Sequence, residues 1–405
     1  MRAVWALFLI GCGFQSRTAN NPDAGIDASF PPDTDTADLS PICPSIALGK
    51  PQFNATGCAT PTQAVVRITA DTSFDTDRGS STPDIGLTCV HLTTANPPTG
   101  PVDVCVLAAA SIIVEPNVVL SAHGSIPFAL FARSITLQGT IDVASHLGGP
   151  PGAGSLLTGC IAGKLPTGGG GGRGGDATDH GGQGGDDGSN PMTGASGGGT
   201  FSFDNLSGGG CGGTQGAVGG GAGTDGGMAT GGDGGGALWI VSLSNDLILE
   251  AGAQINASGS GGAGGKDPGR GGAGGGAGGL ILLQAPHIQL DPAAAIFANG
   301  GHGGGGGGTN PTQMGFTGGA DGSDPTGSAS GGTGGTGGLD GNGSTGTAAG
   351  GDGGPGYPSP MRDGKKGTST GHGGGGGGGG PGAIRVVSAT DIAGPNVSPP
   401  PILLK

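Results

Sequence analysis

Glycine sets the limits on what this chain can build: it supplies 103 of 405 residues, and these fall in long tracts between short apolar patches. Ordering a backbone residue costs about 1–2 kcal/mol, and glycine loses more freedom than most. A glycine tract has no side chains to bury in return, and a net hydrogen bond gives back only about 1 kcal/mol. Taken alone, such a tract reads as flexible loop. One regularity points the other way. Many tracts run as two glycines and then another residue, as in Gly171-Gly172-Arg173-Gly174-Gly175-Asp176, Gly181-Gly182-Gln183-Gly184-Gly185-Asp186 and Gly331-Gly332-Thr333-Gly334-Gly335-Thr336. A left-handed extended helix has three residues per turn and no internal hydrogen bonds, so triplets leave two bare faces for neighbours and one side chain for water.

The apolar patches are β-patterned. Ile135, Leu137, Ile141 and Val143 alternate with Thr136, Gln138, Thr140 and Asp142, the period of a half-buried strand pair. The unit recurs. Ala237 to Leu243 leads to Leu247, Leu249 and Ile255; Leu280 to Ala285 leads to Ile288, Leu290 and Ile296; Ala383 to Ala389 leads to Ile392. Each unit is too small to bury its own apolar face, and stacked units share one core. The expected fold is all-β: an irregular parallel β-helix-like stack of short strands, with long Gly-rich insertions leaving the coils at one corner. A β-sandwich with Gly-rich loops is the alternative. Four regions follow: a leader over 1–11, an acidic tether over 12–42, a small disulfide-stapled β region over 43–110, and the β-stack with its insertions over 111–405.

Composition narrows the function classes. The net charge is −14 with 15 Lys and Arg, which disfavours nucleic acid and anionic lipid as direct partners. The N-terminus reads as an export signal: Met1-Arg2, apolar Ala3 to Ile10, then Gly11-Cys12. Asn20 to Ser40 follows with Asp23, Asp27, Asp33, Asp35 and Asp38 and no cation, a composition that stays solvated.

Seven cysteines become six once Cys12 is set aside: Cys43, Cys58, Cys89, Cys105, Cys160 and Cys211. Six allow 15 pairings. The sequential one, Cys43–Cys58, Cys89–Cys105 and Cys160–Cys211, is the expectation. An exported chain with little core gains most from such staples. Zinc is disfavoured by the lack of a Cys-x-x-Cys.

Catalytic signatures carry no weight here. Gly194-Ala195-Ser196-Gly197-Gly198 matches a nucleophile pattern only because glycine is everywhere, and it lacks the strand-to-helix setting. The seven histidines are dispersed and read as solvated or turn residues. No cofactor is expected. Secondary Ca²⁺ candidates are Asp75, Asp77 and Asp186, for which an Asx turn is the stronger reading at Asp75 and Asp77.

Two resemblances sharpen this. The ending Leu9-Ile10-Gly11-Cys12 resembles a bacterial lipobox, which implies lipidation of Cys12 and attachment to a membrane. That lipobox, the tether Pro22-Asp23-Ala24-Gly25-Ile26-Asp27-Ala28 and the strand–glycine alternation together resemble the Gly-rich surface lipoproteins of myxobacteria. The triplets are similar to the polyglycine-II bundles of other Gly-rich proteins. These resemblances imply a non-catalytic envelope lipoprotein, lipid-anchored at the outer membrane or cell surface of a Gram-negative bacterium. Its role would be structural, display or adhesive, with an extracellular surface or polysaccharide as partner. The alternative is a Ca²⁺- or glycan-binding module using the Asp-bearing glycine loops.

Overall fold

The computed structural model describes residues 40–41, 54–55, 59–61, 63–84, 87–95, 102–155, 164–187, 193–196, 209–217, 229–308, 317–327, 334–339, 350–368, 372–390, 392 and 394–404. They contain strands and no helix, so none is long and apolar enough to cross a membrane. In chain order the strands are β1 (Asn54–Ala55), β2 (Gln63–Ile68), β3 (Thr72–Asp75), β4 (Ser80–Thr82), β5 (Val90–Ala95), β6 (Val102–Val114), β7 (Val119–His123), β8 (Phe128–Ala132), β9 (Ser134–Leu137) and β10 (Thr140–Asp142). They continue as β11 (Ala237–Ser242), β12 (Leu247–Leu249), β13 (Gln254–Asn256), β14 (Leu280–Gln284), β15 (Ile288–Leu290), β16 (Ala295–Phe297), β17 (Ala383–Val387), β18 (Val397–Ser398) and β19 (Ile402–Leu403).

The class is all-β, and the pairing between successive units is parallel, unlike the antiparallel pairing of a sandwich. Three ladders form. One runs β6-β8-β11-β14-β17-β19, a second β2-β6-β9-β12-β15, and a third β4-β3-β7-β10-β13-β16-β18. The long β6 belongs to the first ladder through Cys105–Ala108 and to the second through Ser111–Val114, so the sheet curls around it. The division expected at residue 110 therefore falls inside a continuous strand, and 38–405 forms one compact unit.

Register explains the core. Leu107, Leu130, Ile240, Leu283 and Val386 are successive partners along the first ladder. Ile112, Ile135, Leu247 and Ile288 line up along the second, and Leu120, Ile141, Ile255, Ile296 and Val397 along the third. All of them are buried in one cluster. Alternation turns every second side chain inward, and the recurring unit repeats that choice at each level. The first ladder is also covered outside, by a second cluster with Trp239, Phe131, Leu280 and Leu282. Gly139 makes one turn possible: a Cβ there would lie 2.3 Å from the Val118 carbonyl oxygen.

The glycine tracts connect β10 to β11, β13 to β14 and β16 to β17. Each thus leaves from the third ladder and returns to the first. Their described parts are extended segments without strand assignment, mostly buried and bonded sideways. Segment 270–279 shows the rule. Gly271, Gly274 and Ala277 donate to segment 209–217; Gly272, Gly275 and Gly278 donate to 372–382; Ala273, Gly276 and Gly279 donate to 257–263. Its carbonyls accept from Gly172 and Gly175, from Gly232 and Gly235, and from Gly301, Gly304 and Gly307. Donation thus changes neighbour at every residue and repeats every third. Bare backbones make this possible: a Cβ on Gly275 would lie 2.2 Å from the Gly301 oxygen.

Candidate functional site

Some non-glycine residues of the tracts stand at the rim of this glycine layer, as Gln183 and Lys365 do, while others are buried within it, as the Arg173–Asp176 ion pair is. An open groove of about 1250 Å³ lies between residues 180–183, 334–336, 352–355 and 358–365. Its floor is backbone. A Cβ on Gly182 would lie 1.8 Å from the Arg362 carbonyl oxygen, and one on Gly353 1.9 Å from that of Gly303. Pro355, Pro358, Pro360 and the exposed Met361 form an apolar wall.

Charges in the groove are paired. Lys365 Nζ lies 2.9 Å from Asp352 Oδ2, and Asp352 Oδ1 accepts the Gly337 amide at 2.9 Å. Burial works to raise the Asp352 pKa, but the Gly337 amide and the Lys365 ammonium outweigh it and hold the carboxyl below its usual range. Arg362 Nη2 donates to Asp179 Oδ2 at 2.6 Å, and that guanidinium keeps Asp179 below its usual range too. Asp363 Oδ1 accepts the Gln183 amide at 2.7 Å. The groove therefore offers alternating donors and acceptors beside an apolar wall. That arrangement suits a hydroxyl-rich chain better than an ion of either sign.

Most rim carboxylates have a shared job. Asp186 accepts the Gly194 amide, Asp321 that of Gly264, and Asp324 those of Gly261 and Leu147; the buried Asp176, paired with Arg173 at 2.5 Å, accepts that of Gly181. Threonine hydroxyls do the same for Arg173, Asp187 and Leu339. Where such an amide meets no backbone carbonyl among the described residues, a short oxygen-bearing side chain supplies the acceptor. Asp176, Asp186 and Asp352 each close a triplet reading Gly-Gly-Asp, whereas Asp321 and Asp324 follow Gly-Ala and Gly-Ser.

The expected cation ligands are engaged in this way. Asp75 Oδ1 accepts the amides of Asp77 and Arg78 at 3.1 and 3.2 Å, an Asx turn after β3. Asp77 accepts Ser125 through its amide at 3.0 Å and its hydroxyl at 2.6 Å. Asp186 is the rim cap just described. Of the cysteines, Cys89 and Cys105 are joined with Cα atoms 5.3 Å apart, and Cys211 is also disulfide-bonded. Cys12, Cys43, Cys58 and Cys160 lie outside the described residues.

Of the seven histidines, His91, His146, His180 and His287 are exposed as expected, and two depart from expectation. His302 and His372 are buried within the glycine layer, because there the backbone itself is the interior. Desolvation holds His302 below its usual pKa, and its Nδ1 faces the Ser323 carbonyl. His146 bridges two carboxylates, Asp142 Oδ2 at 3.0 Å and Asp324 Oδ2 at 3.5 Å, which raise its pKa to about 10. Asp142 ends β10 and Asp324 belongs to a rim segment, so this contact ties the strand ladders to the glycine layer. Burial works to raise the Asp324 pKa, but His146 and the two amides hold it low. Among the described residues, Cys89, His91 and Cys105 form the one group with donor atoms close enough to share a metal ion.

No protein-family model matches the chain, and no curated protein or solved structure matches it.

Proposed function

We propose that this chain is a non-catalytic envelope lipoprotein whose body serves a structural, display or adhesive role. The observation that supports this best is the lateral bonding of the glycine segments, in which buried backbone meets buried backbone. We read the segments as a polyglycine-II-type bundle. The ladders beside it are read as coils of an irregular β-helix-like stack, with the glycine insertions departing at one corner. Such a body is stiff along the ladders and cross-braced by the bundle, properties that suit a spacer or contact surface. The anchor in this reading is Cys12, lipidated after export, with the acidic stretch to residue 42 holding the body off the outer membrane of a Gram-negative cell. Two or more acyl chains make such attachment effectively permanent, at about 0.8 kcal/mol per buried CH₂.

The test is expression of the parent and a Cys12→Ser variant in a Gram-negative host, followed by fractionation, surface labelling of intact cells and mass spectrometry. The reading expects an acylated, surface-labelled parent and a soluble variant without acyl mass. Equal membrane attachment of the two would overturn it.

The groove favours one arm of a second reading, in which the body binds a glycan. Co-sedimentation with neutral and acidic polysaccharides tests it; an Arg362→Ala/Lys365→Ala variant that sediments as fully as the parent refutes it. The Ca²⁺ arm finds less support, since the amides already occupying Asp75, Asp77 and Asp186 would have to be displaced.

A further inference from the structure

We infer that the β5–β6 strand pair carries a redox-gated metal site, in which Cys89, His91 and Cys105 seat a thiophilic cation, Zn²⁺, once their disulfide is reduced. This site lies apart from the glycine groove and does not depend on the role proposed above.

Register assembles it. His91 and Cys105 are direct partners across the antiparallel β5–β6 pair, and Cys89 stands one residue before β5. The two sulfurs are bonded, and the two sulfurs and a ring nitrogen of His91 all lie within 4.8 Å of one another. Gly79 clears the space. Its carbonyl accepts the Cys89 amide at 3.1 Å, and a Cβ on it would sit 3.3 Å from His91 Nε2 and 3.4 Å from Cys89 Sγ. Its φ of +66° also suits glycine. Cys105 is fully buried and its amide is fixed by the Pro127 carbonyl at 2.9 Å, whereas His91 is exposed. The set therefore has one rigid, buried ligand and one solvent-facing ligand.

The metric fits. Tetrahedral Zn²⁺ with Zn–S of about 2.3 Å holds two sulfurs about 3.8 Å apart, and imidazole at about 2.0–2.1 Å. Breaking the S–S bond moves the sulfurs from bonding distance to van der Waals contact, close to that separation, on a pair of strands whose backbone need not move. Two thiolates and an imidazole select Zn²⁺ over Ca²⁺ or Mg²⁺ by softness. The chemistry balances with a dithiol as reductant. The dithiol passes two electrons and two protons to the Cys89–Cys105 bond and closes to its own cyclic disulfide. Zn²⁺ then displaces the two thiol protons to solvent, and His91 adds the lone pair of its unprotonated ring nitrogen. The oxidised pair offers no thiolate, and that is the gate.

The experiment uses the full chain, reduced with a dithiol, freed of it anaerobically, and titrated with Co²⁺ as the spectroscopic probe, then with Zn²⁺ in competition. The expected result is thiolate-to-cobalt absorption in the reduced chain, displaced by Zn²⁺ and absent from the oxidised one. Cys105→Ser abolishes it at this site, and His91→Ala weakens Co²⁺ by about tenfold or more. His91 is exposed and its replacement leaves the disulfide intact, so that variant separates ligand loss from misfolding. An unchanged Co²⁺ affinity in His91→Ala overturns the proposal. So does a signal that survives in Cys105→Ser, appears equally in the oxidised chain, or is absent from reduced parent.

Discussion

Replacing Gly376 by alanine tests whether the glycine layer is a packed interior. The residue lies in segment 372–382, and its amide donates to Gly304 at 2.8 Å. Its φ is not left-handed, so alanine suits the local backbone. In a flexible tract the substitution would be neutral or would stabilise by about 0.4–1 kcal/mol, because alanine restricts the unfolded chain. The bundle reverses that sign. The new Cβ would lie 1.9 Å from the Ala273 oxygen and 2.3 Å from its carbonyl carbon, where ordinary contact begins near 3.4 Å. Segments 270–279 and 372–382 must then part by about 1.5 Å, the shortfall between those distances. That strains the bonds from Gly272 to Gly374, Gly275 to Gly377 and Gly278 to Gly380. Three net hydrogen bonds at about 1 kcal/mol each, with an overpacking cost of about 1–3 kcal/mol, outweigh the gain through the unfolded chain. A loss of about 3–5 kcal/mol is expected from denaturant midpoints, with faster exchange of the Gly275 and Gly278 amides, which donate across the parted segments. Gln183→Ala, at an exposed triplet position, should stay within about 0.5 kcal/mol of the parent. A Gly376→Ala protein as stable as the parent, or more so, would refute the packed-layer argument.

Three further outcomes are expected. Ile255→Ala removes a buried link in the third ladder and should cost about 2–5 kcal/mol in the same denaturation assay, whereas Gln254→Ala, on the exposed face, should cost little. Asp321→Ala leaves the Gly264 amide without its acceptor and should cost about 1–2 kcal/mol, read together with faster exchange of that amide. For His146 the folded pKa of about 10 exceeds the ordinary 6.5, so its stabilisation is complete below pH 6.5 and is lost as pH rises through about 10. The ring is half exposed, so solvent screening reduces the effect to about 1 kcal/mol, and His146→Gln should flatten that alkaline decline in melting temperature.

The ladders were legible because Ile141, Ile255 and Ile296 each sit in the same short pattern, and period-two alternation assigns their face without knowledge of the neighbour. The all-β class follows from that pattern. The polar sites were harder to read. A carboxylate in a glycine-rich tract has one local signature whether it faces a cation or an amide. What decides is a distant segment: Asp324 takes the Leu147 amide, 177 residues away. The Cys89–His91–Cys105 group matched no zinc spacing because strand register, not a short motif, places His91 beside Cys105. His302 and His372 read as solvated because they stand dispersed among polar, glycine-rich stretches with no apolar period around them. That inference fails when backbone rather than side chain fills the interior.

The last point has a physical consequence for how such chains encode structure. In an ordinary domain the hydrophobic period names the buried face, because burying side chains removes apolar area from water. In segment 270–279 the residues Gly274, Gly275 and Gly276 are all buried, and each meets a different neighbour. No apolar period can mark them. At some positions a non-glycine residue carries the equivalent information: the carboxylates of Asp321 and Asp352 accept the amides of Gly264 and Gly337, whereas Ala273 and Ala277 are buried among the glycines and mark nothing. Inserting one residue into a triplet tract should therefore act as a one-residue slip does in a half-buried strand. It would carry a rim side chain into backbone contact and leave a glycine at the rim with no cap to offer.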